Sequence, residues 1–479
     1  MLKLRWVAVA AMLVGASLVP WVPGCTGGAN PNARTVGNQP GGVKVGLGDI
    51  AVSEEGYIVV VESGHLAVGW PDDAKTQRLP VRKPTRLAFA EGRPVVYVHS
   101  AAEGALKAVD VEERKTIWST PLSIHVPEGD VEETDLDERA KWATKTHSLK
   151  IETTPDDSRV VMILRNQVML FETDEGKRVG DVSFKRGIVD AKVLSDSDRA
   201  LLVHEHEWEG EGEDATPKTK VSVVQLDKGK SRSFAVPNCS DRLAVNQATK
   251  YAFLAPTRCR RDPISVISLK PGEESFVRNL PGFGPVQIAP RGEVAVGFLD
   301  AANVDESLFD DKSQVPPAPD GKEDVPRYHI MTIDTRSLEF ELHGYGDRLP
   351  RYAMTPSGGY LLIDYASDRS SPPLRRFDTD KGHIRKFEGP RITLDNYVMT
   401  GDSKRAYAVQ GGLYEADIEN TRVDKLDLAF EPSNINIAPE GDRLYLRKPN
   451  EDVCIYALSS GTCVGVFGPR SSEGAAAKM

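Results

Sequence analysis

This chain has fewer basic than acidic residues, which excludes proteins that bind nucleic acid nonspecifically through a basic surface. The 479 residues include 60 Lys and Arg against 70 Asp and Glu, which gives a formal net charge of −10. Nonspecific binding to DNA or RNA needs a basic surface, and so does docking of a folded domain on anionic lipid. The composition therefore predicts no nucleic-acid partner.

Catalytic and metal-binding signatures are also missing from the sequence. There is no Gly-x-Ser-x-Gly elbow, no His-Glu-x-x-His motif and no phosphate-cradling glycine loop. The acidic segments lack the Asp-x-Asp-x-Asp-Gly spacing of a calcium loop. His204 and His206 alternate and would share one side of a strand, but no third ligand accompanies them. We therefore predict no catalytic residue, no metal site and no cofactor.

Long apolar runs are absent after the first 24 residues. The one long run, Trp6 to Val22, follows Lys3 and Arg5 and ends shortly before Cys25. A secretory signal peptide has a basic N-terminal region, an apolar core of this length and a small residue before its cleavage site. The pattern is typical of such a signal rather than of a membrane-spanning helix.

The segment Val22-Pro23-Gly24-Cys25 resembles the lipobox of bacterial lipoproteins, in which the cysteine is lipidated and the chain is cut before it. Val22 and Gly24 match that pattern, whereas Pro23 replaces the usual small or hydroxylic residue. The resemblance implies a signal peptide at residues 1–24 and lipidation of Cys25. An ordinary secretory signal or an uncleaved anchor is the alternative.

The segment after Cys25 is typical of a tether. Residues 26–42 are rich in Gly, Asn and Pro and almost lack apolar side chains, so they cannot form a core. We predict a lipidated flexible tether at residues 25–42, a folded domain at 43–469 and a disordered tail at 470–479. The expected location is the cell envelope, on the periplasmic or surface side of the outer membrane.

Two turn types recur in the folded part, separated by short β-branched and aromatic runs. One type has proline at its second position, as in Ala289-Pro290-Arg291-Gly292 and Thr355-Pro356-Ser357-Gly358. The other type aligns residue for residue between Phe171–Gly176 and Phe377–Gly382. Proline, aspartate and glycine favour such tight turns.

The repeat predicts an all-β fold, a single β-propeller of four-stranded blades. Nine candidate units begin near residues 47, 86, 148, 189, 242, 286, 351, 396 and 434. Eight or nine blades are expected, with seven as the remaining option, because four to eight is the usual range. An array of two-sheet sandwiches is the alternative fold.

One unit carries a family-specific motif. Residues Ala108 to Trp118 resemble the quinoprotein-type blade motif Ala-x-Asp-x-x-Thr-Gly-x-x-x-Trp, with Glu113 and Arg114 in place of Thr-Gly. The chain thus resembles bacterial propellers with quinoprotein-like or WD40-like repeats. Its layout of a lipid anchor followed by blades is similar to that of the propeller lipoprotein of the outer-membrane-protein assembly machine.

The long insertions all fall on one predicted face, where binding usually lies. They are the link at residues 123–147 and the second-to-third-strand loops at 205–220, 301–326 and 366–373. Three of them are acidic, and such a face would attract a cationic partner or serve only to keep the loops solvated. The candidate binding residues are Glu133, Asp137, Trp142, Glu207, Trp208, Glu209, Glu211, Asp310 and Asp311.

Four cysteines remain after Cys25, and an exported protein can pair them. Cys239 precedes the fifth unit and Cys259 lies in its second-to-third-strand loop, so both belong to one face and are predicted to bridge. Cys454 and Cys463 flank a hairpin turn with an offset that disfavours a bridge unless a bulge intervenes.

Two functions compete at this stage. The first is a membrane-tethered scaffold lipoprotein that binds an envelope protein and is not an enzyme. The alternative is a propeller enzyme, similar to lactonases or hydrolases, with a metal site in the central channel. Ligands of such a site come from separate blades and leave no local motif in the sequence.

Overall fold

The computed structural model shows a ring of sheets around a central channel. It describes residues 43–44, 50–53, 55–62, 65–69, 77–79, 81, 83–122, 150–195, 198–210, 216–257, 259, 262–319, 325–348, 350–365, 373–449 and 452–467. Cys25, the predicted tether and the predicted tail lie outside these residues. So do Glu133, Asp137, Trp142 and Glu211.

Within the described part of the chain, 38 strands form nine antiparallel sheets, which confirms the predicted propeller. The strands are β1 Val43–Lys44, β2 Ile50–Val52, β3 Ile58–Glu62, β4 His65–Gly69, β5 Gln77–Leu79, β6 Pro84–Phe89, β7 Val95–Ser100, β8 Ala105–Asp110, β9 Lys115–Pro121, β10 Lys150–Thr153, β11 Arg159–Ile163, β12 Gln167–Glu172, β13 Arg178–Ser183, β14 Ile188–Val193, β15 Arg199–His204, β16 Glu207–Glu209, β17 Thr216–Gln225, β18 Lys230–Val236, β19 Arg242–Asn246, β20 Tyr251–Ala255, β21 Ile264–Ser268, β22 Ser275–Leu280, β23 Phe283–Ile288, β24 Val294–Asp300, β25 Tyr328–Asp334, β26 Phe340–Gly346, β27 Pro350–Met354, β28 Tyr360–Tyr365, β29 Arg375–Asp378, β30 Ile384–Lys386, β31 Tyr397–Met399, β32 Arg405–Val409, β33 Leu413–Asp417, β34 Arg422–Leu426, β35 Asn434–Ile437, β36 Arg443–Arg447, β37 Val453–Ala457 and β38 Thr462–Phe467. Three 3-10 helices cover Ala301–Asn303, Glu306–Leu308 and Lys312–Gln314.

Each sheet is one blade of four chain-ordered strands, and two blades carry an extra strand. Blade 1 is β2–β5, blade 2 is β6–β9 with β1 added, and blade 4 is β14, β15, β17 and β18 with β16 added. The first strands of neighbouring blades lie against one another around the channel, and the fourth strands form the rim. The observed blades begin within three residues of every predicted start.

Burial follows the position of a strand in its blade. The second strand of blade 2, β7, is buried along its whole length, because neighbouring blades cover both of its faces. The rim strand of blade 3, β13, alternates between exposed and half-buried residues. This gradient explains why the apolar runs of the sequence mark the middle strands and not the fourth ones.

The ring closes where the last blade packs on the first. Side chains of blade 9, including Tyr445 and Phe467, share an apolar cluster with Ile50 and Ile58 of blade 1. Asn436 donates from Nδ2 to the carbonyl oxygen of Ile50 at 3.2 Å. Each of these two blades is built from one end of the described chain, so side-chain packing rather than an exchanged strand closes the ring.

Polar side chains of one blade bind the inner-strand backbone of the next. Glu152 of blade 3 accepts the Val193 N–H at 2.7 Å, and Asp190 of blade 4 accepts the Leu243 N–H at 3.0 Å. Buried polar groups near the channel thereby find partners across the blade boundary.

The two recurring turn types meet on one end of the ring, here called the turn face. It carries the first-to-second-strand and third-to-fourth-strand turns, such as residues 154–158 and 173–177. The Thr173 hydroxyl donates to the Asp157 carbonyl at 2.9 Å, and the Thr379 hydroxyl donates to the Gly358 carbonyl at 2.8 Å. The threonine of the second turn type therefore ties the two turns of a blade together.

In two blades, an indole or imidazole side chain from the preceding blade packs against the second turn type. Trp118 of blade 2 is buried against blade 3, and its Nε1 donates to the Thr173 carbonyl at 2.8 Å. A Cβ at Gly176, where φ is +65°, would overlap the Trp118 ring. His343 of blade 6 occupies the same place over Gly382 of blade 7. The two turns align residue for residue because each must leave room for the side chain that packs on its glycine.

Candidate functional site

The opposite end of the ring, the loop face, carries the second-to-third-strand loops and the links between blades, such as residues 205–210 and 237–241. The insertion of blade 4 is not a plain loop there. Glu207, Trp208 and Glu209 form β16 and pair with the first residues of β17, opposite Lys218, Pro217 and Thr216. We call residues 207–209 and 216–218 the ribbon.

Trp208 is the most exposed aromatic side chain on the described part of the loop face. It is 58% exposed and lies edge-on to His206, with ring centroids 5.6 Å apart. Strand pairing at this point holds the indole on an ordered element. A large apolar ring kept in water on a paired ribbon is typical of an interface anchor.

Each described acidic residue of the ribbon region has a basic partner. Glu205 binds Arg165 at 2.9 Å, Glu207 binds Arg186, and Glu209 binds Lys218. Arg165 and Arg186 approach from the blade 3 to blade 4 region, whereas Lys218 lies on the ribbon itself. These bases offset the negative charge of the described glutamates, and attraction of a cationic partner to this loop stays a prediction.

Two aspartates of the blade 6 insertion, and the aspartate at the end of β24 just before it, cap short helices. Asp300, Asp305 and Asp311 each precede a 3-10 helix and accept a backbone N–H two residues later. The Ser313 N–H held by Asp311 lowers the pKa of that carboxyl. Asp310 is exposed and lies 3.5 Å from Arg278. Of the two predicted binding residues here, Asp311 has a local structural role and Asp310 remains at the surface.

The two predicted histidines occupy different environments, although their alternation placed them together. The strand β15 ends at His204, whose Nε2 lies 2.7 Å from the Ser222 hydroxyl in a buried position. His206 is partly exposed beside Trp208. The end of the strand at His204 breaks the alternation on which the sequence argument depended.

Two disulfides are present among the described cysteines. Cys239 and Cys259, the predicted pair, are joined with their Cα atoms 6.1 Å apart. Cys454 and Cys463 are joined as well, with Cα atoms 5.7 Å apart. The register shifts between Ile455 and Tyr456, which supplies the bulge that the second bridge requires.

Charged side chains on and behind the inner strands are paired. Lys150 binds Asp190 at 2.7 Å, and Arg351 binds Asp364 through two contacts of 2.6 and 2.8 Å. Burial alone would raise the pKa of Asp190, but Lys150 and Arg242 outweigh burial and lower that pKa. The Lys150–Asp190 pair connects blades 3 and 4, whereas Arg351 and Asp364 lie on neighbouring strands of blade 7.

Buried neutral histidines predict a loss of stability in mild acid. Burial lowers the pKa of His99 and of His204 to about 4. The unfolded chain takes up these protons near pH 6.5 and the folded chain does not, so stability falls as the pH decreases from 6.5 towards 4. Urea unfolding should show a loss of about 2 kcal/mol per histidine between pH 7 and pH 5.

The control for this pH dependence is the exposed His383. A His383→Gln variant should keep the wild-type pH slope, whereas His99→Gln should have a shallower one. Equal slopes in all three proteins would show that the buried imidazoles do not set the acid sensitivity.

No helix in the described residues is long and apolar enough to cross a membrane.

Comparisons with known proteins do not assign this chain to a family. No protein-family model and no curated protein matches the chain. Hydrazine synthase of Kuenenia stuttgartiensis is 16% identical with a TM-score of 0.38, covering 70% of this chain and 99% of that one. The dihydro-heme d1 dehydrogenase NirN, in complex with DHE, is 10% identical with a TM-score of 0.46, covering 79% and 74%. The computationally designed Ika8 protein is 10% identical with a TM-score of 0.44, covering 78% and 95%. All three TM-scores lie below 0.5, so these likenesses support no inference about this chain.

Proposed function

We propose that this protein is a membrane-tethered β-propeller that binds a protein partner in the bacterial cell envelope and acts as a scaffold there. The observation that carries the proposal is Trp208, which is 58% exposed on a paired ribbon of the loop face. Burial of a tryptophan at an interface removes a large apolar area from water, and such residues dominate binding energies.

The partner chemistry follows from the ion pairs of the ribbon. Glu205, Glu207 and Glu209 already have basic partners, so an apolar pocket that accepts the Trp208 indole should dominate the affinity. A cationic rim on the partner would add a salt-dependent contribution to the association rate. Binding should accordingly weaken only modestly when salt is raised, because the apolar anchor is not screened.

Capture from the native envelope tests the proposal. Trp208→Ala should reduce the partner recovered with the purified protein by at least about tenfold, as loss of an anchor residue costs 2 kcal/mol or more. The matched control is Val179→Ala, which trims another exposed apolar side chain on the rim of blade 3, 43% exposed. Equal recovery with both variants would remove the ribbon from consideration as the binding surface.

A further inference from the structure

The predicted disulfide has a third potential ligand beside it. The sulfur atoms of Cys239 and Cys259 and a ring nitrogen of His206 all lie within 4.8 Å of one another. Cys239 is buried, whereas Cys259 and His206 are partly exposed. The three residues come from the link between blades 4 and 5, the second-to-third-strand loop of blade 5, and the residue before the ribbon.

Surrounding hydrogen bonds fix the backbone that carries this cluster. Asn238 donates from Nδ2 to the Ser265 hydroxyl at 2.8 Å, and the Ser240 N–H donates to the Thr219 hydroxyl at 2.8 Å. The Cys239 N–H itself donates to Asp262 at 2.7 Å. The residues on both sides of Cys239 are therefore held independently of the bond between the sulfurs.

The second disulfide lacks these features. Among the described residues, the group at Cys239 is the one set of three or more His, Cys, Asp and Glu side chains close enough to hold a metal ion. Cys454 and Cys463 lie on the third and fourth strands of blade 9, and no such third ligand is found beside them among the described residues. The chain therefore has one disulfide with a third potential metal ligand beside it. The other disulfide lacks such a ligand in the described part of the chain and serves as an internal control.

We propose that Cys239, Cys259 and His206 form a redox-gated zinc site: the reduced thiolates and the imidazole bind one Zn²⁺, and the disulfide is the metal-free form. Two thiolates and one imidazole match the ligand preference of zinc, and a water completes the tetrahedron. Zn–S bonds of about 2.3 Å place two thiolates about 3.8 Å apart, so the two sulfurs, which are bonded in this structure, must separate by that amount after reduction. The proposal is independent of the partner-binding function.

The gating step balances as a two-electron exchange. A dithiol reductant transfers two electrons and two protons to the Cys239–Cys259 bond, which breaks to give two thiols, and the reductant becomes a disulfide. Binding of Zn²⁺ then releases the two thiol protons to water. Oxidation by a disulfide of higher potential reverses the sequence and frees the metal.

Zinc binding to the full-length protein in detergent tests the site. The protein is reduced with a phosphine, which leaves as its oxide, and is then titrated with Zn²⁺ alone and measured for bound metal after gel filtration. We expect one zinc per chain when it is reduced and none when it is oxidised. With Co²⁺ as the probe, the reduced protein should show the near-ultraviolet absorption of cobalt–thiolate bonds.

Variants separate this site from general thiol binding. His206→Ala keeps both cysteines and should weaken zinc binding by at least about tenfold. Cys239→Ser with Cys259→Ser should abolish it, and Cys454→Ser with Cys463→Ser should retain one zinc per chain. If the Cys239→Ser, Cys259→Ser variant fails to fold, the His206→Ala protein still tests the site. That protein keeps both cysteines and can form the Cys239–Cys259 disulfide when it folds.

Three outcomes would overturn the proposal. They are no zinc bound by the reduced wild-type protein at micromolar metal, equal affinity in His206→Ala, and loss of zinc in the Cys454→Ser, Cys463→Ser variant. The last result would assign the metal to the blade 9 pair.

Discussion

Trp118→Ala should destabilise the propeller by about 3–5 kcal/mol, the range for truncating a buried tryptophan. Trp118 is 9% exposed, stacks on Tyr97 with centroids 5.9 Å apart, and donates to the Thr173 carbonyl of the next blade. The substitution leaves a cavity between blades 2 and 3 and removes a hydrogen bond across their boundary. Urea unfolding followed by tryptophan-independent far-UV circular dichroism measures the loss.

The neighbouring residue supplies the control for this prediction. Ile117 precedes Trp118 on the same strand but is 43% exposed, so Ile117→Ala should change stability by about 0.5 kcal/mol or less. Trp118→Phe should recover part of the loss, since it refills most of the cavity without the N–H donor. A Trp118→Ala variant no less stable than Ile117→Ala would contradict the docking role of this ring.

Cys25→Ser should move nearly all of the protein from the membrane fraction to the soluble fraction, or block its processing. Serine cannot form the thioether that the lipobox resemblance implies, and membrane anchoring scales with the buried methylene groups of the attached lipid. Fractionation of cells, with the mass of the mature protein, gives the result.

Thr26→Ser is the control for the anchor, since residue 26 follows the expected cut and carries no lipid. It should remain in the membrane fraction with the lipidated mass. Unchanged retention and an unchanged mass in Cys25→Ser would favour the uncleaved anchor, and a wild-type protein already in the soluble fraction would favour the ordinary secretory signal.

The blades were predictable because their turns are local. Pro356 and Gly358 set a turn through their own backbone preferences, and the strand after them is apolar because it lies between two blades. Nine such units are visible without knowledge of contacts between them, so the blade starts lie close to the observed ones. The threonine contact from Thr379 to Gly358 was not predictable, because it joins segments 21 residues apart.

The basic partners of the ribbon glutamates were not predictable, for the same reason. Glu205 and Arg165 are 40 residues apart in sequence, and only the packing of blades 3 and 4 brings them together. The cluster of His206 with Cys239 and Cys259 was likewise invisible, since its three ligands come from three segments. Local motifs can indicate a turn or a lipobox, whereas a charge balance or a ligand set across blades needs the fold.

The most direct measurement of the central claim is site-specific photo-crosslinking in the native envelope, with the photoreactive residue placed at 208 or at 381. Trp208 lies on the ribbon of the loop face, and Lys381 is exposed on a turn of the turn face. The account predicts one discrete protein adduct from position 208 and none of that mass from position 381. An adduct from position 381 alone, or no adduct from position 208, would contradict a binding function of the loop face.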